Sequence, residues 1–301
     1  MPFQGPAVKG KYIDILSDFG FKHLLGREPN KGLLIDFLNA LFEGEKVITD
    51  LEYCNTERAG DNTVSKKVFF DLLCTGNRGE QFLIEMQRAE QSYFKERSVF
   101  YLSRLISDQL PRGLESYDYG LKEVYMIALL EFVMPDSGEL NQVGDFVHDY
   151  CLMNRRTGKI FYNKLGYKFI ELPKFVRSEA ECETDLEKWL YVLKHMHRLD
   201  KIPLLFSKPV FTRLFKIAEV SKLNKEEKHM YDVSLKYKWD QENMTRFAVE
   251  KAEKQGKEEG ILQGKLEAAR KMKKKGYDRD EIVSITGACA DFCVSGQSHC
   301  H

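Results

Sequence analysis

Proline is scarce in this chain of 301 residues, at 8, and tryptophan scarcer at 2, whereas Phe reaches 20 and Tyr 14. So few prolines argue against a loop-rich architecture and favour long regular elements. Net charge is missing too, because 46 Lys+Arg balance 46 Asp+Glu. No global field therefore draws in a polyanion, and any grip on nucleic acid has to come from a local patch. No apolar run approaches the roughly 18 to 20 residues that span a bilayer, and the opening MPFQGPAVKG lacks the charged-then-apolar layout of a signal peptide. No membrane partner is expected, and the expected location is cytoplasmic. Cys54, Cys74, Cys151 and Cys182 are scattered without metal-ligand spacing, the first three in apolar or strand-like contexts that suit reduced thiols. No disulfide framework is expected. His195 and His197, and the terminal crowd of Cys289, Cys293, His299, Cys300 and His301, match no established zinc spacing either.

What is present is ample core material: 43% hydrophobic against 31% charged residues, the balance of a soluble globular chain. SDFGFKHLLG and NKGLLIDFLNALF repeat apolar residues at three- and four-residue steps and read as short helices. VITDLEYCNTE, KKVFFDLLCTG and EQFLIEMQRAE read as three strands, the last two joined by the turn chemistry of Thr75-Gly76-Asn77-Arg78-Gly79. Residues 92 to 110 form an amphipathic helix ended by Pro111 and Gly113. The continuous apolar run EVYMIALLEFVM has the look of a strand covered on both faces. FVHDYCLMNRRTG and KIFYNKLGYKFIELPKF add two strands around a turn at Thr157-Gly158. Helix, meander, helix and buried strand make an α/β layered pattern. Beyond about residue 180 strands cease, and a long stretch from Lys225 to Lys275, poor in large apolar residues and carrying Gly256, Gly260 and Gly264, reads as a solvated helix.

The chemistry concentrates on the hairpin. Asp71 stands between Phe70 and Leu72 in an apolar strand, where a carboxylate is costly without compensation. On the next strand Glu85 and Gln87 are two apart, so the period of two points both to one face. Oxygen ligands from two neighbouring strands suit Mg²⁺ or Mn²⁺, hard cations that keep waters and accept phosphate oxygens. The alternative for these acids is a pair facing solvent from a half-exposed hairpin.

Asp71, a turn, then Glu85-Met86-Gln87 resembles the core of the PD-(D/E)XK nuclease superfamily, in which one strand carries Asp and the next Glu-x-Lys. The closest resemblance is to the recombination-promoting nuclease and transposase branch, through SDFGFKHLLG, IEMQ, the following helix with Phe94, Arg97 and Tyr101, and GKLEAARKMKKKGYDRDEIVSITG. The resemblance implies a restriction-endonuclease-like mixed sheet flanked by helices, with a helical C-terminal region, and hydrolysis of DNA phosphodiesters with Mg²⁺ or Mn²⁺. Asp71 and Glu85 would hold the metal, with the Met86 carbonyl as a further ligand. Gln87 stands where most of the superfamily has Lys and offers only an amide hydrogen bond. It either positions water or marks a catalytically weak DNA-binding or accessory protein.

Asp18 and Lys22, four apart on the first helix, share a face. They are either an outer metal ligand with the missing cation, or a plain surface pair. Arg97 and Tyr101 share a face of the later helix as phosphate contacts or as packing residues. Asn154 to Arg177 holds seven Lys or Arg against one acid, Glu171, with aromatics interleaved. Arg155 and Arg156 are its DNA-contact candidates, and a Lys-rich edge that resists aggregation is the other reading. The expected divisions are 10–175 for the nuclease-like domain, 180–275 for a helical region, and 276–301 for a short helix and a disordered tail. The helical region is a possible surface for homo-oligomers.

Overall fold

The computed structural model describes residues 10–58, 68–110, 120–135, 146–204 and 206–287. The terminal Cys/His group from Cys289 to His301 lies outside them. Contacts divide the chain into two units, Met1–Leu235 and Lys236–His301.

The first unit is built on a six-stranded mixed sheet. Its strands are β1 (Leu51–Tyr53), β4 (Leu72–Gly76), β5 (Gln81–Gln87), β6 (Val124–Leu130), β7 (Val147–Met153) and β8 (Ile160–Glu171), in the order β1-β4-β5-β6-β8-β7. A two-stranded ribbon, β2 (Glu57–Arg58) with β3 (Val68–Phe69), stands apart from it. The chain turns from β4 into β5 where expected. Gly79 lies at φ 81°, a conformation glycine adopts without strain, and its N–H donates to the Gly76 carbonyl at 3.0 Å. β4 and β5 pair antiparallel, whereas β5 and β6 run parallel and are joined through α3 (Phe94–Ser107). All seven residues of β6 are buried, as its unbroken apolar run demands.

The period of two divides the sheet into two faces. Leu73, Leu83, Val124, Met126, Ala128, Leu130 and Phe169 pack with Phe94, Leu102 and Leu105, so α3 covers one face. On the other, Phe42 of α2 (Lys31–Phe42) meets Phe82 and Tyr125 edge-on at 5.9 and 5.2 Å. The apolar stripe read from the sequence, Leu33, Leu34, Phe37, Leu38 and Leu41, is the buried side of α2. Ahead of it, α1 (Asp18–Leu25) is capped by the Ser17 hydroxyl, which accepts from the Gly20 N–H. α1 lies close on the hairpin: a Cβ on Gly26, its C-cap, would sit 2.5 Å from Leu72 Cδ2, and the Tyr53 hydroxyl donates to the Leu25 carbonyl. Only glycine fits that approach.

Past the sheet, α4 (Asp185–His195) and α5 (Pro209–Ile217) close over α2. Thr184 and Glu187 form a capping box at the start of α4. Trp189, fully buried, packs on Phe37 and Phe211 and donates from Nε1 to Asp36 Oδ1 at 2.8 Å. The long helix α6 (Lys225–Lys274) begins in this unit and continues into the second. In the second unit it is exposed from Gln241 to Lys265, as its sparse apolar residues imply. There α7 (Arg279–Thr286), capped by Asp278, packs Ile282 on Ala269, with Leu266 and Met272 around them.

Trp189→Ala removes both the largest fully buried side chain and its hydrogen bond. Urea unfolding is expected to show a loss of about 3–5 kcal/mol, read as a lower midpoint with an unchanged slope.

Candidate active site

The segment expected as one strand around Asp71 is broken. Phe69 ends β3, Asp71 occupies a bend, and Leu72 starts β4. The reason is a change of partner: before the bend Phe70 N–H bonds the Thr56 carbonyl, and after it the chain pairs with β1 and β5. The register Leu72↔Ile84 and Leu73↔Leu83, carried one residue back, sets Asp71 directly opposite Glu85. Both belong to the face that carries Leu73 and Leu83, at the edge of the core under α3.

The two acids are tied through the backbone. Asp71 N–H donates to Glu85 Oε1 at 3.2 Å, and Met86 N–H donates to Asp71 Oδ2 at 2.9 Å. Glu85 is only 5% exposed. Among the described residues no Lys or Arg forms an ion pair with either carboxylate. Burial pushes Glu85 up to about 8, repulsion from Asp71 adds to this, and the Asp71 N–H, Arg97 and the Gln87 amide act against it. Burial likewise raises Asp71, opposed by the Met86 N–H, Lys22 and Arg88 and reinforced by Asp18. Burial therefore raises the pKa of both facing carboxyls, most clearly that of the buried Glu85.

Gln87 is held on both ends of its amide. Nε2 donates to Glu85 Oε2 at 3.2 Å, while Oε1 accepts from Arg97 Nη2 at 2.6 Å. Arg97 comes from α3, also donates to Gln91, and lies 5.8 Å from the centre of the Tyr101 ring. Tyr101 stacks edge-on against Phe70 at 5.3 Å, and burial, then Glu85, raises its hydroxyl pKa. Asp71, Glu85, Gln87, Arg97 and Tyr101 therefore converge.

Asp18 and Lys22 stand at the margin. They pair with each other at 2.7 Å with both side chains about half exposed, and their charges reach Asp71. Asp18 does not join a ligand cluster, because no group of three or more His, Cys, Asp or Glu side chains among the described residues could hold a metal. Arg155 and Arg156 are not brought to this centre. They lie in the β7–β8 turn, whereas β8 reaches the row of Glu85 only at Phe169, paired to Ala128. Nine residue steps of strand from Ile160 to Phe169 set them roughly 30 Å away. Sequence reasoning missed Arg88. Its guanidinium favours the ionised form of Asp71, and its buried Nη1 has no hydrogen-bond partner. Its place directly after Gln87 was the available signal.

The donor set fits a hard divalent cation. Mg²⁺ is commonly held by one or two carboxylates and completes its shell with waters and substrate phosphates, so the lack of a third acid is no obstacle. A soft or zinc-type ion lacks its ligands here.

For the metal-free protein the sign of the pH dependence follows. Glu85 is protonated in both folded and unfolded chains below its ordinary 4.5, but between there and about 8 the folded state holds the extra proton. Stability is thus fully present below about pH 4.5 and lost as pH rises towards 8. Chemical denaturation in EDTA is expected to show this fall, and Glu85→Gln to flatten it. An equal fall in Glu85→Gln would assign the slope elsewhere.

A family model described as PD-(D/E)XK nuclease family transposase matches residues 15–248. No curated protein and no solved structure matches the chain. The matched span contains the whole mixed sheet, its flanking helices and the opposed acids. The chain belongs to the PD-(D/E)XK nuclease family transposases.

Proposed function

We propose that the protein is a Mg²⁺- or Mn²⁺-dependent endodeoxyribonuclease that hydrolyses DNA phosphodiesters in recombination or transposition. The observation that carries this reading is the opposed Asp71–Glu85 pair, half-buried and buried, with no Lys or Arg ion-paired to either among the described residues. A bound Mg²⁺ or Mn²⁺ would supply Lewis acidity toward the phosphate and lower the pKa of a water.

The chain's own residues have distinct tasks in this reading. Asp71 and Glu85 hold the ion, with the Met86 carbonyl as a further oxygen. Gln87 cannot take a proton, and its amide is fixed between Glu85 and Arg97. It orients Arg97, whose guanidinium supplies from α3 the positive charge that a lysine at position 87 would have brought. Lys22 adds a more distant charge, with Asp18 holding it in place. Arg88 and Tyr101 border the site as phosphate contacts, and Arg155 and Arg156 belong to a separate DNA-contact surface on the β7–β8 hairpin.

The hairpin supports that last assignment: β8 starts at Ile160, five residues before its pairing with β6 begins, and Phe161 is 82% exposed beside these cations. Self-association through α6 is proposed from its exposed Met244 and Phe247. Among the described residues no helix is long and apolar enough to cross a membrane. Cys54, Cys74, Cys151 and Cys182 are free thiols, which suits a reducing cytoplasm.

A second reading is favoured by the same Gln87. An amide engaged at both ends is poorly free to orient a water, as expected of an accessory protein that binds DNA without cutting it. Supercoiled plasmid with Mg²⁺ or Mn²⁺ separates the two. The enzyme reading expects nicking by the native protein. Asp71→Ala and Glu85→Ala are expected to lose more than about 100-fold, beyond the 10–100-fold typical of an outer-shell partner, and Arg97→Gln to fall in that outer range. Nicking by Gln87→Lys alone would establish the second reading, and equal nicking by all proteins would mark a contaminant.

A further inference from the structure

A cleft of about 550 Å³ is walled by α1, the α1–α2 connection, α5 and the first turn of α6. It lies wholly within the first unit. Its lining carries Arg27, Arg213, Lys216 and Lys222 against one carboxylate, Glu227. Glu227 is committed: it accepts from Arg27 Nη1 at 2.8 Å and from the Asn224 N–H. Lys222 is paired with Glu219 at 3.1 Å. Arg213 and Lys216 remain without a carboxylate partner among the described residues. Arg213 is steadied by donating to the Pro29 carbonyl, which aims a planar fork of further donors from the rim.

Two independent features mark the floor as a place for an anion. His23 is 8% exposed, lines the cleft, and has no hydrogen-bond partner at Nδ1; the nearest acid oxygen, on Glu227, is 3.7 Å away. Stacking on Phe19, with ring centres 4.9 Å apart, holds the plane of the imidazole. Burial, with Arg27 adding to it and Glu227 opposing, keeps His23 below its ordinary pKa, so the ring itself needs no counter-ion at neutral pH. Beside it, α2 follows a 3-10 turn, Glu28–Asn30, and its N-cap Asn30 makes no side-chain cap. A twelve-residue helix thus brings the positive end of its dipole to a cleft that already holds surplus cations.

We infer that this cleft is a second phosphate-binding site, taking a backbone phosphate of DNA outside the Asp71–Glu85 centre. The choice of DNA rests on the nuclease reading above, whereas the preference for an oxyanion does not. Lys22, whose charge reaches Asp71, and His23, which lines the cleft, are consecutive residues of α1, so both places border the same short helix.

The test uses the full chain in EDTA, so that binding is read without cleavage. The ¹⁵N resonances of His23 are followed on addition of a short duplex and, separately, of inorganic phosphate. Duplex affinity is measured over a salt series for the native protein and for Arg213→Gln/Lys216→Gln, both exposed positions. The inference expects the duplex to shift His23, and the double variant to lose that shift and about 1 to 2 from the slope of log K against log salt, near 0.9 per phosphate contact. A His23 shift by phosphate, abolished in the double variant, with an unchanged duplex slope would keep the anion site but overturn DNA as its source. No shift by either ligand, with equal slopes, would overturn the site. Normal binding here by a native protein that never nicks plasmid would sink the nuclease reading alone.

Discussion

Two carboxyl groups face each other across the start of β4 and the end of β5, where burial raises the pKa of both and, among the described residues, no basic side chain forms an ion pair with either. Like charges at this separation repel, and burial removes the water that would screen them. Main-chain donors only partly offset this, since Met86 N–H reaches Asp71 and Asp71 N–H reaches Glu85. In the proposed reading a divalent cation would take the place of the proton that burial favours on Glu85, and its binding would release that proton. Such a pair contributes nothing to folding that an apolar pair would not do better.

The surrounding fold keeps that pair in place. A bend at Asp71 lets the strand leave the β2–β3 ribbon and enter the sheet with its carboxyl opposite Glu85 rather than one residue out of step. A slip of one residue would send Asp71 to the α2 face. The parallel crossover from β5 to β6 places α3 over the same face and delivers Arg97 to Gln87. Gly26 lets α1 approach Leu72, and Lys22 on the same helix lies within electrostatic reach of Asp71. Charge is thus gathered near the acids from α1 and α3, and among the described residues none of it forms an ion pair with Asp71 or Glu85.

Local pattern made much of this readable from the residues themselves. The strand-like run around Glu85 and the unbroken apolar run of β6 were both legible as strands, although β5 too is buried on both faces, and Gly79 marked the turn. The amphipathic stripe of α3 was visible to within a few residues of its ends. Features set by tertiary partners were not readable. The bend at Asp71 depends on which strand the chain pairs with, and period alone cannot report that. The hydrogen bond from Arg97 to Gln87 and the distance of Arg155 and Arg156 from the acids depend on strand order. The cleft around His23 joins residues of α1 and α5 that are remote along the chain, and no motif announces it.

The claim on which the rest depends is that Asp71 and Glu85 form a metal site, and direct Mn²⁺ binding tests it without any assumption about cleavage. Isothermal titration at pH 7 in buffers of different ionisation enthalpy is expected to show Mn²⁺ bound by the native protein with release of about one proton, and no such binding in Asp71→Asn or Glu85→Gln. Equal Mn²⁺ affinity in those two variants, or native binding without proton release, would contradict it.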